Sequence, residues 1–162
     1  MPDILKIKSG AYTVLEEHQS SLYLEKRETK QRRNMEITSL QITVFGILIL
    51  ASYLAGNISP AILIGKLHNQ DIRKTGSGNA GTTNVLRTFG KKAAAITMIV
   101  DILKGVIPVL LARYIAAEFL SIYFANQLAL WAGVFAICGH VWPVFFGFKG
   151  GKGVATTFGV LI

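Results

Sequence analysis

The sequence predicts an all-α protein that crosses a membrane several times, and three observations lead to this fold class. Hydrophobic residues make up 51% of the 162 residues and charged residues only 16%, a balance that is unusual for a globular protein of this length. The apolar residues fall into long runs, and a membrane-spanning helix needs a run of roughly 20 residues. Basic residues gather at the ends of these runs, where anionic headgroups or a phosphorylated substrate can meet them.

Three apolar segments are long enough to cross a hydrocarbon core of about 30 Å. These predicted spans cover residues 41–64, 93–116 and 127–146. A fourth apolar segment begins near Val154 and stops at Ile162. We therefore expect an incomplete polytopic membrane helix bundle with three full spans and the start of a fourth. Because Gly56 and Pro60 weaken the hydrogen bonds of a helix, the second half of the first span is expected to face protein and not lipid.

Charged and titratable residues inside the predicted spans are few. Asp101 and Lys104 lie three positions apart in the second span, on one face of a helix, where each offsets the cost of burying the other. The pattern favours an ion pair that permits insertion, and a catalytic pair is the alternative. His140 is expected to pack and hydrogen-bond near Trp142 at the membrane interface, and catalysis is again the alternative.

The charges of the connecting segments predict an orientation. The loop after the first span is basic, whereas the connection between the second and third spans carries only Arg113 and Glu118. By the positive-inside rule the first loop is cytoplasmic and the second connection is external. The third span then returns the chain to the cytoplasm at residues 147–153. Both glycine-rich, basic loops are therefore expected on the cytoplasmic side, where they can share one site.

Residues 1–34 are polar and are expected to lie outside a membrane domain of residues 35–162. A basic cluster directly before the first span opposes an external N-terminus; its members are Lys26, Arg27, Lys30, Arg32 and Arg33. A translation start at Met35 removes this conflict. We therefore expect residues 1–34 to be an upstream mis-start or a fusion remnant, and a genuine cytoplasmic tail is the alternative.

The first loop, residues 71–87, has the composition of an anion-binding site. Its glycines permit positive φ and close backbone approach, so successive amides can point into one concavity; they are Gly76, Gly78 and Gly81. Arg87 adds a planar fork that suits a phosphate or carboxylate. Neutral donors complete the set: Ser77, Asn79, Thr82, Thr83 and Asn84. A flexible interfacial loop rich in turn residues is the alternative.

The second loop, residues 147–153, is a basic, glycine-rich turn directly before a predicted helix. The free amides and the positive dipole end of a helix N-terminus attract anions. The turn is not a Walker A loop, because Lys152 is followed by glycine and not by Ser or Thr, so ATP hydrolysis is unsupported. Cys138 is the single cysteine, which excludes a cysteine metal cluster within one chain. Nucleic acid is not an expected partner, because the basic residues lie at the ends of apolar segments.

These motifs, in this order, resemble the bacterial PlsY family over residues 35–162. The matching blocks include the string GSGNAGTTNVLR in the first loop and KGGKGVAT in the second; together the blocks cover residues 53–58, 76–87, 101–105, 139–145 and 149–156. Several separate blocks in the right order make a chance resemblance unlikely.

The resemblance implies an enzyme of the bacterial inner membrane that transfers a fatty acyl group from acyl-phosphate to the 1-hydroxyl of glycerol 3-phosphate, giving lysophosphatidate in phospholipid synthesis. It implies catalytic roles for Ser77, Arg87 and Lys152, and no metal or other cofactor. It also implies substrate-binding roles for Gly76, Gly78, Asn79, Thr83, Asn84, Lys149, Gly150 and Gly151. The family's third cytoplasmic motif, near its C-terminus, is absent from these 162 residues, so we expect this chain by itself to be inactive.

Two other functional hypotheses remain open from the sequence. A membrane transporter fragment that binds a phosphorylated solute would also carry interrupted helices and anion-binding loops on one side, although the sequence shows no internal inverted symmetry. The other is a non-catalytic truncated product that cannot assemble the site.

Overall fold

The computed structural model describes the backbone of residues 3–162 and the side chains of residues 18–162. Its α-helices are α1 (Asp3–Gly56), α2 (Pro60–Leu67), α3 (Thr82–Phe119), α4 (Ile122–Val141) and α5 (Val154–Leu161). Single 3-10 turns lie at Ile72–Lys74 and Val144–Phe146. The chain divides into two compact units, Met1–Ile42 and Thr43–Ile162. Every regular element in the described part is helical, which confirms the all-α prediction.

Within residues 18–162, three helical stretches are long and apolar enough to cross a membrane: His18–Gly56, Thr82–Phe119 and Ile122–Phe146. Their number confirms the three predicted spans. Helix α5 has eight residues and is about 12 Å long, at a rise of about 1.5 Å per residue. Helix α1 runs without a break past Met35, so the predicted boundary between residues 34 and 35 has no counterpart in the secondary structure and stays a prediction.

The first predicted span, residues 41–64, consists of two helices and not one. Helix α1 ends at Gly56, and α2 begins at Pro60, whose fixed φ suits the first position of a helix but not its interior. At the break, the Nζ of Lys104 in α3 donates a hydrogen bond of 2.6 Å to the carbonyl of Ile58. The residues of α2 that face protein, as predicted for this half of the span, are Pro60, Ala61, Ile62 and Gly65.

Glycines allow the helices of the second unit to cross at very short distance. Helices α1 and α4 meet at Gly56 and Gly139, and helices α3 and α5 meet at Gly105 and Gly159. A Cβ added to any of these four glycines would overlap a carbonyl oxygen of the opposite helix. Close approach through small residues is how helices associate in lipid, where no hydrophobic effect drives them together.

Most of the buried apolar residues in the described part of the chain form two clusters. The first joins α1, α3 and α4 and contains Ile49, Ala112, Ala116, Ala125, Leu128 and Ala132. The second lies around the first loop and contains Ala61, Ile62, Ile72, Ala80, Val85 and Ala94. Alanine makes up at least half of each cluster, whereas large residues such as Leu110, Trp131 and Phe158 lie on the outside. This distribution is typical of a helix bundle whose outer face contacts lipid.

Helix α3 is interrupted at Gly90, where φ is 85° and ψ is −176°. This region of backbone space is essentially restricted to glycine. The break separates the helical turns of residues 82–89, which follow the first loop, from residues 91–119, which contain the predicted second span. Because of this kink, the helical turns of residues 82–89 can run in a different direction from the predicted second span.

We expect Gly90→Ala to destabilise the protein by about 1–3 kcal/mol, because alanine does not tolerate this backbone conformation. Space is not the cause, since a Cβ at Gly90 meets nothing within 4 Å. Gly46→Ala is the matched control: its Cβ is equally free, but its backbone is helical, where alanine is favoured by about 0.5–1 kcal/mol. The measurement is the thermal unfolding midpoint of the two variants in detergent, and equal midpoints would contradict the role of the backbone at Gly90.

Candidate anion-binding site

The first loop begins with an ion pair that turns the chain. The carboxylate of Asp71 accepts hydrogen bonds from the backbone N–H of Arg73 (3.0 Å) and from its guanidinium at Nε (2.9 Å) and Nη2 (3.0 Å). This bidentate pairing holds the pKa of Asp71 below its usual range and raises the pKa of Arg73. Because Asp71 already pairs with this guanidinium, Arg73 is expected to bind a further anion more weakly than an unpaired arginine would.

Asn84, at the start of α3, organises the backbone of the first loop. Its side chain is buried, and its Oδ1 accepts a hydrogen bond of 3.0 Å from the N–H of Ser77. Its Nδ2 lies within hydrogen-bonding distance of three loop carbonyls, those of Ile72, Thr75 and Asn79, at 3.0, 3.0 and 3.1 Å. One amide side chain therefore satisfies backbone groups from both ends of the loop.

The glycines of the first loop have different functions. Gly76 and Gly78 have positive φ, 54° and 71°, as the sequence predicts, and a Cβ on Gly76 would overlap the Oδ1 of Asn84. Gly81 has an extended backbone with φ of −145°, so it serves close approach and not positive φ. A Cβ at Gly81 would instead lie 2.8 Å from the Nδ2 of Asn79.

The side chains of the first loop that are free to meet a ligand lie at its surface. Ser77, Thr83 and Arg87 are exposed, and Asn79 is half-buried. Within residues 18–162, the guanidinium of Arg87 has no hydrogen bond or ion pair. An exposed, unpaired guanidinium beside a loop with positive-φ glycines is suited to bind a phosphate.

The second loop folds back against the end of α4. The N–H of Gly150 donates to the carbonyl of Val141 (3.1 Å), and the N–H of Gly151 donates to the carbonyl of His140 (3.2 Å). These two amides therefore point towards α4 and shape the turn. The ammonium groups of Lys149 and Lys152 are exposed and have no ion pair among the described side chains.

Helix α5 follows the second loop directly, after Gly153 with its left-handed φ of 77°. Its first internal hydrogen bond runs from the N–H of Thr157 to the carbonyl of Gly153 (2.8 Å). The amides of the first helical turn thus have no intrahelical acceptor, and the positive end of the helix dipole lies beside Lys152.

The two loops are in direct contact. Gly151 fits between the first loop and α4, because a Cβ there would lie 2.7 Å from the carbonyl oxygen of Ala80 and would overlap the imidazole of His140. The Nη1 of Arg73 also donates a hydrogen bond of 2.8 Å to the carbonyl of Phe146. The structure thus brings together the two loops that the sequence assigned to one site.

Comparisons with known proteins identify the family of this chain. The family model described as glycerol-3-phosphate acyltransferase matches residues 46–162. The chain belongs to the glycerol-3-phosphate acyltransferase family. The predicted resemblance is confirmed, and the transporter hypothesis is not favoured.

Individual acyltransferases match over the same region. One from Alkaliphilus metalliredigens is 51% identical over 117 residues, which are 72% of this chain and 56% of the relative. A crystal structure of PlsY, an integral membrane glycerol 3-phosphate acyltransferase, in its glycerol 3-phosphate form superposes with a TM-score of 0.64 and 44% identity over 72% of this chain and 56% of the other. Its lysophosphatidic acid form gives a TM-score of 0.61 and 43% identity over 72% and 55%. The chain spans little more than half the length of these acyltransferases.

This member of the acyltransferase family also has a buried polar cluster between its helices. The predicted ion pair of Lys104 with Asp101 is confirmed: the Nζ lies 2.8 Å from Oδ1, and both side chains are less than 5% exposed. The Nδ1 of His140 lies 3.5 Å from the same oxygen. His140 is therefore buried against α3, although the sequence led us to expect it near Trp142 at the interface. One feature of the sequence pointed to this cluster, namely ionisable residues within apolar segments. The contact of His140 with Asp101 could not be predicted, because 39 positions separate the two residues and only helix packing brings them together.

We expect Asn84→Ala to lower the free energy of unfolding by about 1–3 kcal/mol and to loosen the first loop, because buried loop carbonyls lose their donor. The control is Thr83→Ala at the neighbouring exposed position, with an expected change within about 0.5 kcal/mol. Thermal unfolding in detergent gives the stability, and limited proteolysis between residues 72 and 80 gives the order of the loop. An intact loop in Asn84→Ala would contradict this role.

Proposed function

We propose that this chain provides the phosphate-binding loops of an enzyme that transfers a fatty acyl group from acyl-phosphate to the 1-hydroxyl of glycerol 3-phosphate. The products are lysophosphatidate and inorganic phosphate. One observation carries the proposal: the exposed, unpaired cations Arg87, Lys149 and Lys152 belong to two loops that touch at Gly151 and Ala80. The solved relatives in glycerol 3-phosphate and lysophosphatidic acid forms support it.

The reaction needs little covalent chemistry from the protein. Acyl-phosphate is a mixed anhydride, so the hydroxyl oxygen of glycerol 3-phosphate attacks its carbonyl carbon, and the bond between that carbon and the phosphate oxygen breaks. The hydroxyl proton passes to a phosphate oxygen of the substrate, and inorganic phosphate leaves with the bonding electron pair. The protein then has to orient two phosphorylated molecules and stabilise the developing negative charge.

The catalytic roles fall to exposed groups. Arg87 and Lys152 bind phosphate oxygens and neutralise their charge. The hydroxyl of Ser77 is free to donate to the reacting oxygen, because Asn84 engages only the backbone N–H of Ser77. Lys149 adds positive charge beside the second loop.

The substrate-binding roles divide into direct contact and shape. Asn79 and Thr83 offer neutral hydrogen-bonding groups to the glycerol phosphate. Gly76, Gly78 and Asn84 give the first loop its conformation, and Gly150 and Gly151 give the second loop its close fit against α4. The free amides at the start of α5 supply further donors for phosphate.

We expect Arg87→Ala and Lys152→Ala each to lower kcat/KM for glycerol 3-phosphate roughly 10- to 100-fold, because each removes a charge-assisted hydrogen bond worth about 1.5–3 kcal/mol. Ser77→Ala should lower kcat. The assay measures phosphate release and lysophosphatidate formation by this chain joined at Ile162 to the C-terminal part of a full-length relative.

The matched control for this assay is Lys91→Ala, which removes an exposed lysine outside both loops and should leave kcat/KM unchanged. Wild-type kinetics in both Arg87→Ala and Lys152→Ala would refute the assignment of these loops to the substrate phosphate. A loss in the control as large as in the two variants would show that only the overall positive charge matters.

We also propose that both loops face the cytoplasm, in a bacterial inner membrane. The basic residues after the first span support this orientation. In a Cys138→Ser background, Ser121→Cys should react with a membrane-impermeant thiol reagent in intact cells, and Thr82→Cys should react only after the membrane is opened. Labelling of Thr82→Cys in intact cells would reverse the orientation.

A further inference from the structure

A series of close contacts connects the helix break to the second loop through buried side chains. It starts at the carbonyl of Ile58, which accepts a hydrogen bond from Lys104 (2.6 Å). It continues through the ion pair of Lys104 with Asp101 (2.8 Å) to His140, whose Nδ1 lies 3.5 Å from the carboxylate. It ends at Gly151, which lies against the other side of the imidazole.

His140 holds Gly151 through two parts of its structure. Its backbone carbonyl accepts the N–H of Gly151 at 3.2 Å, and its ring, at Nε2 and Cε1, lies where a Cβ of Gly151 would be. Asp101 lies 3.5 Å from the other ring nitrogen, Nδ1. The imidazole therefore acts as a spacer of defined thickness between Asp101 of α3 and the second loop.

Burial of these groups is costly and requires an explanation. The side chains of Asp101, Lys104 and His140 are 3%, 4% and 5% exposed, and charged groups inside a membrane domain are expensive unless they are paired. The Oδ1 of Asp101 and the Nδ1 of His140 also lack a hydrogen bond of standard geometry among the described residues. Asp101 and Lys104 balance each other's charge, so His140 is not needed to neutralise this pair.

We propose that His140 is a positioning residue that fixes the second loop in its phosphate-binding conformation, with Asp101 holding the imidazole and Lys104 balancing the charge. Gly151 touches Ala80, so a displacement of the second loop also changes its fit against the first. This inference rests on the proposed function for its kinetic consequence, but its structural consequence does not depend on any activity.

The structural test is hydrogen–deuterium exchange of the purified 162-residue chain in detergent. In His140→Ala, amides of residues 147–153 should exchange at least about tenfold faster, because the N–H groups of Gly150 and Gly151 lose protection when the turn opens. Amides of residues 122–136 in α4 should keep their rates. His140→Gln, which is long enough to fill the space beside Gly151, should restore part of the protection.

The matched control is His68→Ala, which removes an exposed imidazole outside this series of contacts and should leave exchange in residues 147–153 unchanged. Unchanged exchange of that loop in His140→Ala, or an equal increase throughout α4, would refute the proposal. If His140→Ala does not fold, His140→Ser, which is likewise too short to reach Gly151, replaces it under the same criteria.

The kinetic test uses this chain joined at Ile162 to the C-terminal part of a full-length relative, as in the activity assay above. Loss of positioning weakens ground-state and transition-state binding equally, so His140→Ala should raise the KM for glycerol 3-phosphate about tenfold and change kcat less than about threefold. A fall in kcat at constant KM would assign His140 to the chemical step and overturn a positioning role. If the wild-type enzyme shows no turnover, the proposed function fails, whereas the exchange experiment still decides the role of His140.

Discussion

The structure depends on the need to satisfy backbone polar groups where a helix is broken inside a membrane domain. A carbonyl without a partner costs several kcal/mol in lipid, and the break between Gly56 and Pro60 exposes such groups. Lys104 satisfies the carbonyl of Ile58, and a buried ammonium in turn requires the carboxylate of Asp101. The positions of α1, α2 and α3 are thus coupled through one side chain.

Glycine makes this coupling possible, because polar groups can meet only if the helices approach closely. Gly56 and Gly139 bring α1 against α4, and Gly105 brings α3 against α5. The same small-residue packing places Gly151 between His140 and the first loop. The two glycine-rich loops are therefore held by the packed interior of the bundle, whereas their cations remain outside it. A rigid loop with free cations suits a reaction in which the protein mainly orients its substrates.

In the two glycine-rich loops, one set of residues fixes the backbone conformation and another set supplies the exposed positive charge. Buried groups such as Asn84 and the amides of Gly150 and Gly151 are used within the protein, and exposed ones such as Arg87 and Lys152 remain available. From the sequence, all of them were assigned to the substrate alike. A motif shows which residues belong to a loop, but hydrogen bonding shows which of them can still bind a ligand.

The sequence by itself determined the helical membrane class, the number of spans, the family and the positions of the two glycine-rich, basic loops, because hydropathy, charge and glycine spacing are local properties of the chain. It also located the position, at Gly56 and Pro60, where the helical hydrogen bonds of the first span are weakened. Only the tertiary structure decided that the first span is two helices, that Gly90 breaks α3, and that His140 lies between Asp101 and Gly151. These features depend on contacts between residues far apart in the chain, and such contacts form only when the helices pack.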